Sequence, residues 1–325
     1  MAARLSPAPL HSSAEIVDLR RVTVRDLEAV LEEETAEWLG EVEWDFRKSA
    51  DLVRKFVGLR ALSGCALIEA GQVAGYLYYV LEEAKGLIGD LYVRRPLRTV
   101  ERENRLLGSA LETIAAMRSV RRVEAQLMML AFPPGRPVPF APYAATYSRN
   151  FMRIDLSAAE LAEGRVRRPV YLERWSDHYQ EPAAQLIAVA YTGHVDGHIN
   201  DQYRSPEGAR RFLYNIVQYP GCGTFFRPAS YVALEAVTGR LCGLSLASMV
   251  APECGHVTQI CVSQAARGTG VGHALLRQSL AALRQSGCRA ASLTVTAANA
   301  GAVALYERVG FRIVRQFPAY VWEGL

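Results

Sequence analysis

The chain has 325 residues, half of them hydrophobic, and its 37 Lys and Arg against 33 Asp and Glu give a formal net charge of +4. That length suits two domains of ordinary size, each able to bury a core. The charge is too small, and too evenly spread, for nucleic acid to be the expected partner, and no apolar run reaches the roughly 18 residues of a membrane span.

Residues 1–14, with Pro7 and Pro9 and no apolar stretch, read as a loose tail rather than a signal peptide, so the expected location is cytoplasmic. Residues 15–156 follow as a first domain, with Leu156–Pro169 as a polar passage into a second; the linker proper is placed at 157–169. The second domain, 170–325, opens with a strand over Val170–Arg174 and helices over Pro182–Tyr191 and Pro206–Val217. Pro206 and Glu207 suit a first helical turn. Strands are expected at 230–236, 241–249, 256–262, 289–296 and 311–322, with helices between the last three. The fold class is therefore α/β of the α+β kind, with a mixed, mostly antiparallel sheet flanked by helices. The cysteines (Cys65, Cys222, Cys242, Cys254, Cys261, Cys288) show no CxxC pair and no metal-ligand spacing, and read as reduced thiols. His194 and His198 have a metal-like spacing, but Gly193 and Gly197 argue against a rigid helix and for a loop pair. No metal is expected.

The most informative stretch is Arg267-Gly268-Thr269-Gly270-Val271-Gly272, between a hydrophobic strand and an apolar-periodic helix carrying Leu275, Leu276, Leu280 and Leu283. A glycine-rich turn there presents unpaired backbone N–H groups and the positive end of a helix dipole, which together bind phosphate. A P-loop would need Lys-Ser/Thr after the last glycine, where His273-Ala274 stands. A dinucleotide fold would need a carboxylate about 20 residues on, where Ala-Ser-Leu-Thr-Val-Thr stands. Downstream, the strand Leu293–Thr296 leads to Asn299…Ala302…Leu305-Tyr306-Glu307…Gly310-Phe311, with Gly310 where a helix end needs a left-handed residue.

Arg-x-x-Gly-x-Gly followed by Asn…Ala…Leu-Tyr-Glu-x-x-Gly-Phe resembles the GNAT superfamily of acetyl-CoA-dependent N-acetyltransferases. The resemblance implies that acetyl-CoA is the cofactor and that backbone amides across Arg267, Gly268, Thr269, Gly270, Val271 and Gly272 hold its pyrophosphate. It implies further that Ile260, Cys261 and Val262 hold the pantetheine arm, that Asn299 contacts that arm, and that Ala302 leaves room for it. Tyr306 stands where the family has a tyrosine that protonates the departing thiolate.

The first half is similar to the second, with a period of about 160 residues, far longer than a solenoid repeat. Aligning Val93 with Val262 sets Gly89-Asp90 on Thr258-Gln259, Arg98 on Arg267 and Leu106-Leu107 on Leu275-Leu276. Upstream, Ala66–Ala70 falls on Val232–Ala236. The chain thus reads as tandem GNAT-like domains. Gly268, Gly270 and Gly272 are matched by Thr99, Glu101 and Glu103, and prolines (Pro133, Pro134, Pro137, Pro139, Pro142) replace the Asn299 region. Thr146 and Asn150-Phe151 fall roughly where Tyr306 and Gly310-Phe311 stand. The first domain is expected not to bind CoA, because two carboxylates would face a pyrophosphate, and to serve as a wall or shield.

Relatives often carry a glutamate on the strand near 258–259, where this chain has Thr258 and Gln259. Candidate bases are His256, the acidic residues of 196–207, Glu323 and the terminal carboxylate of Leu325. Residues 175–208 hold Asp177, Glu181, Asp196, Asp201 and Glu207 against Arg204, either a solvated loop or an acidic mouth for a cationic amine. On the second reading Asp196, Asp201, Tyr203 and Glu207 bind the acceptor, with Tyr191 and His194 as flat walls. The expected acceptor is a small cationic amine such as an aminoglycoside-like amino sugar or a polyamine, taken by direct transfer. A protein or peptide amine, or a non-catalytic acyl-CoA sensor, are the alternatives, and a monomer or homodimer is expected.

Overall fold

The computed structural model describes residues 14–219 and 221–325, so the expected tail, apart from Ala14, lies outside the described residues. The two halves of the chain follow a similar order of elements. The first half holds β1 (Glu15–Asp18), α1 (Val24–Val42), α2 (Arg47–Gly58), β2 (Ser63–Glu69), β3 (Gln72–Glu82), β4 (Lys85–Val93), α3 (Val100–Ala115), β5 (Arg122–Gln126) and β6 (Ala144–Asp155). The second holds β7 (Val170–Arg174), α4 (Gln180–Ala190), α5 (Val195–Ile199), α6 (Pro206–Gln218), β8 (Thr224–Phe225), β9 (Tyr231–Glu235), β10 (Leu241–Ala251) and β11 (Cys254–Val262). It ends with α7 (Val271–Gln285), β12 (Ala290–Thr296), α8 (Ala300–Val309) and β13 (Arg312–Glu323).

The repeat extends to fine detail of strand register. Between β3 and β4, Tyr78 faces Asp90 and Tyr79 faces Ile88, leaving Gly89 as an extra bulged residue. Between β10 and β11, Leu246 faces Gln259 and Ala247 faces Val257, leaving Thr258 extra. Gly89 and Thr258 are the pair that the Val93/Val262 alignment superposes. A bulge re-aims the strand after it, and in both halves it precedes a divergence. The parallel pairing of β4 with β5 and of β11 with β12 covers only the start of each β4 and β11 strand.

The halves do not fold beside each other as closed sheets. Among the described residues there is a single 13-stranded sheet, ordered β1-β2-β3-β4-β5-β13-β6-β12-β11-β10-β9-β7, with β8 on β10. Each half sends its last strand into the other. β13 pairs with β5, β6 pairs with β12, and β6 and β13 run antiparallel against each other at the centre. Tyr320 and Trp322 of β13 are consequently buried with Leu106, Leu111 and Val123 in the first half's core, while Met152 and Ile154 of β6 are buried with Leu275 and Leu280 in the second's. Each large side chain so buried contributes about 1.5–3 kcal/mol.

The first half has no counterpart of α8. Between β5 and β6 the proline-rich segment has no helix longer than the turn Ala141–Tyr143, since prolines remove donors and bias their predecessors away from helix. Thr146 therefore lies on β6, and Asn150 lies mid-strand opposite Gln316. Neither occupies the place of Tyr306 or Gly310. The expectation that Glu103 faces a phosphate position is corrected, while Glu101 is exposed on α3. Glu103 is buried and pairs with equally buried Arg136 at 2.5 Å. Arg136 also donates to Ala131 O at 2.7 Å and Asn104 Oδ1 at 2.8 Å, seating the proline-rich segment against α3. Thr99 closes the α3 N-terminus by accepting from the Arg102 N–H at 3.2 Å.

Two outcomes follow. Residues 157–325 expressed alone lose β6 and leave β12 and β13 with bare edges, so they should show no cooperative thermal unfolding unless residues 1–156 are co-expressed; a soluble, cooperatively folding fragment would contradict the exchange. Arg136→Ala leaves a buried carboxylate unpaired and should destabilise the chain by about 3–5 kcal/mol in denaturant titration, whereas an effect below 1 kcal/mol would mean Glu103 reaches water.

Candidate active site

The second half keeps open what the first half closes. β11 and β12 pair through Cys254–Val257 and Ala290–Leu293 and then diverge. The gap becomes a cleft of about 520 Å³ between β11, the loop before α7, and α8. Ile260, Cys261 and Val262 line one wall, Arg267, Gly268, Gly270 and Gly272 the mouth, and Asn299, Ala302 and Tyr306 the other wall. The structure thus brings most of the sequence-predicted cofactor residues to one cavity. Thr269 and Val271 do not line it. The Thr269 hydroxyl donates to Ala266 O at 2.7 Å, and Val271 is buried in the core beneath the loop.

The mouth fits a phosphate group. The α7 N-terminus has no side-chain cap, and the amides of Gly268, Gly270, Val271, Gly272 and His273 take no backbone partner among the described residues. Gly268 has φ of 71° with open space where a Cβ would point. Gly270, at φ 93°, has a second reason to be glycine that sequence reasoning missed. A Cβ there would collide with the carbonyl oxygen of Arg165 in the linker, and the linker is fastened to the loop by the Arg167 N–H donating to Thr269 O at 2.8 Å. The Arg267 guanidinium is not turned to the mouth. It donates to Ala190 O at the C-terminus of α4, at 2.6 Å, where a cation meets the negative end of the helix.

Tyr306 is buried on α8, edge-on to Phe311 at 6.0 Å. Burial pushes its phenol well above the usual tyrosine range, so it stays protonated throughout the neutral range. Asn299 caps α8, its Oδ1 accepting from the Ala302 N–H at 3.3 Å, and Gly310 ends the helix at φ 112°. The Cys261 thiol is pushed up to about 12 by burial, so it offers no thiolate at neutral pH.

His256 is not brought to the cleft. It is buried between Trp44 and Phe151, with Nδ1 at 2.8 Å from Ser292 Oγ, and burial lowers its pKa to about 3. Strand alternation aims it at the junction of the halves. Glu323 is ion-paired with Arg122.

The acidic mouth is corrected too. Asp177 pairs with Arg227 at 2.8 Å, Glu181 with Arg210 at 2.7 Å, Asp196 with Arg149 at 3.1 Å, and Asp201 with Lys85. All four basic partners lie outside 175–208, which is why the local count misled. Tyr203 stacks on Tyr191 with centroids 4.4 Å apart, and Gln259 Nε2 donates to the Tyr191 hydroxyl at 2.9 Å. Glu207 is exposed at the start of α6. None of Asp196, Asp201, Tyr203 and Glu207 lines the cleft. His194 and Tyr191 do, together with His273 and Arg308, which the motifs did not flag.

A bulged strand, a diverging parallel pair and a glycine loop at an uncapped helix, set in a duplicated sheet, define a tandem GNAT-like fold. Over the whole chain this fold is similar to a GCN5-related N-acetyltransferase from Sphaerobacter thermophilus, with a TM-score of 0.69 at 16% identity, covering 95% of each chain. It is also similar to a tandem GNAT protein from the clavulanic acid biosynthesis pathway, with a TM-score of 0.58 at 17% identity, covering 96% of this chain and 98% of that one. In sequence, 66 residues are 36% identical to a mycothiol acetyltransferase of Corynebacterium jeikeium, a match covering 20% of this chain and 19% of that relative's length. Residues 194–311 match the acetyltransferase (GNAT) family, and the chain carries a GNAT acetyltransferase domain. Among the described residues no helix is long and apolar enough to cross a membrane.

Gly268→Ala should cost about 1–2 kcal/mol from the left-handed backbone alone. Gly270→Ala should cost a further 1–3 kcal/mol, roughly, from overpacking and should speed tryptic cleavage at Arg165 and Arg167. Equal melting and cleavage for the two variants would contradict the linker contact.

Proposed function

We propose that the protein transfers the acetyl group of acetyl-CoA directly to a primary amine, using the second-half cleft, and that the first half binds no CoA. The observation that carries this reading is the uncapped α7 N-terminus opening onto the same cavity as Tyr306. The unpartnered amides of Gly268, Gly270, Val271, Gly272 and His273 would hold the pyrophosphate, and the diverging edge of β11 at Ile260–Val262 the pantetheine arm, with a main-chain N–H polarising the thioester carbonyl. Asn299 and Ala302 would flank that arm. Tyr306 would donate its proton as thiolate charge develops. A phenol gives a proton to a thiolate of ordinary pKa about 8.5 only when transfer is coupled to C–S cleavage. The neutral Cys261 thiol supports direct transfer over an acetyl-cysteine intermediate.

The acceptor we favour is a small-molecule amine of the amino-sugar or polyamine kind. The α4–α6 segment is fastened to the first half through Lys85–Asp201 and through Arg122, which donates to His198 O. We take these tethers to favour a compact acceptor over an extended peptide. The paired carboxylates supply no net acidic field, so shape and aromatic walls rather than charge carry this preference.

Thiol release from acetyl-CoA, measured against aminoglycosides, polyamines and short peptides, should show turnover on a small amine. Tyr306→Phe should lower kcat by about 10²–10⁴ with little change in KM for acetyl-CoA. Tight acetyl-CoA binding without turnover on any amine would favour a sensor instead.

A further inference from the structure

α1 meets β4 and the turn after it through three acids, Glu33, Glu34 and Glu37. Two of them meet arginine. Glu33 accepts from Arg94 Nε at 2.9 Å, and Glu37 accepts from Arg98 Nη1 at 2.7 Å and Nη2 at 2.8 Å. Glu34, between them, meets another acid, Asp90 of β4. We infer that Glu34 and Asp90 share one proton across the neutral range and form a pH-sensitive latch, which holds α1 on β4 while the proton is bound and releases it as the proton is lost. The latch is independent of the acetyl-transfer reading.

The hydrogen bonds around the pair call for that proton. Glu34 is fully buried and Asp90 is 7% exposed. Glu34 Oε1 accepts from the Trp38 indole N–H at 3.2 Å, and Oε2 accepts from the Tyr76 hydroxyl at 2.7 Å. Asp90 Oδ1 accepts from the Leu91 N–H at 2.8 Å. Asp90 Oδ2 is buried with no partner among the described residues. An ionised carboxylate only accepts, so a second one cannot fill that place. A proton on Glu34 supplies the donor that Asp90 lacks. It also spares the site two like charges out of water, which is far costlier than one. Burial, and then the Asp90 charge, push Glu34 well above the usual carboxylate range, and burial raises Asp90 as well. The proton belongs to the pair.

The neighbouring ionisable groups leave the pair uncompensated. On β3, Tyr76 and Tyr78 are buried, and burial pushes both phenols up. On β4, Tyr92 donates to Glu37 at 2.7 Å. The cations of α2 are held elsewhere, Arg47 by Asp45, Lys48 by Thr224 Oγ1, Arg54 by Glu28, and Lys55 over the Phe56 ring. Beyond Trp38 and Trp44 lies His256, which burial lowers to about 3 and so keeps uncharged. The backbone presents Asp90 just after the Gly89 bulge, where the Tyr78 ring packs in the space a Cβ would need. Gln259 holds the matching position in the second half and meets Tyr191 as a neutral amide at 2.9 Å.

The direction of the pH dependence follows from the raised value. Both carboxyls titrate near pH 4, roughly, in the unfolded chain, whereas the folded pair keeps one proton to higher pH. The contribution is fully present below that unfolded value and is lost as pH rises. Within this range the unfolding equilibrium constant gains about tenfold per pH unit. His256 has the opposite sign, its contribution being lost as pH falls below about 6.5. Thiols begin to ionise only near 8.5 or so, so the interval from pH 7 to 8 isolates the pair.

Three measurements on the full chain test the latch. In urea titrations, wild type should become about tenfold easier to unfold from pH 7 to 8, relative to the Glu34→Gln/Asp90→Asn double variant. Infrared absorption of the native chain at pH 7.5 should show a protonated carboxyl that Glu34→Gln lacks. Amide hydrogen exchange over the same interval should show α1 losing up to about tenfold in protection relative to α7. A pH slope shared by wild type and the double variant overturns the shared proton, as does a wild-type infrared spectrum without a protonated carboxyl. That spectrum decides the matter even where the double variant does not fold. Equal change in α1 and α7 protection overturns the latch.

Discussion

The backbone ladder between β6 and β13 is the constraint on which the rest of the molecule depends. Because these two final strands pair with each other and each with the opposite half, neither half can close its sheet alone. The same exchange shapes the cleft. β6 fixes the outer side of β12, so that β11 is free to diverge on the inner side, and it carries Arg149 to the end of β12, opposite Thr296. The first half is therefore part of the frame of the second half's cleft, through strand pairing and through the Lys85 and Arg122 contacts to the 198–201 segment.

The two halves show how one backbone plan supports opposite outcomes. At the α7 N-terminus, glycines leave N–H groups free and give the chain room to turn. At the α3 N-terminus, Thr99 consumes an amide, Glu103 points inward, and Arg136 brings a proline-rich segment to meet it. Glu103 and Arg136 thus fill that space as core, with a buried ion pair that is stable only while both members are present.

Features whose physics is local were legible in the sequence. The glycine loop and the Gly310 end each depend on a few adjacent residues, and strands such as Val170–Arg174 showed by pattern. The Val93/Val262 alignment was sound down to the bulges at Gly89 and Thr258. What depends on distant partners was not legible. The strand exchange has no local signature, because β6 would look the same in either sheet. The acidic excess of 175–208 vanished against Lys85, Arg149, Arg210 and Arg227. His256 lay on the right strand but was aimed at Trp44 and Phe151, and Gly270 makes room for a linker that no loop motif mentions.

The central claim is one acetyl-CoA site per two-half chain, lying in the second half. Calorimetric titration of the full chain with acetyl-CoA tests it most directly. The account predicts a single equivalent bound. Two equivalents would mean that the Glu103–Arg136 segment does not close the first half, and no binding would mean that the open α7 N-terminus is not a cofactor site.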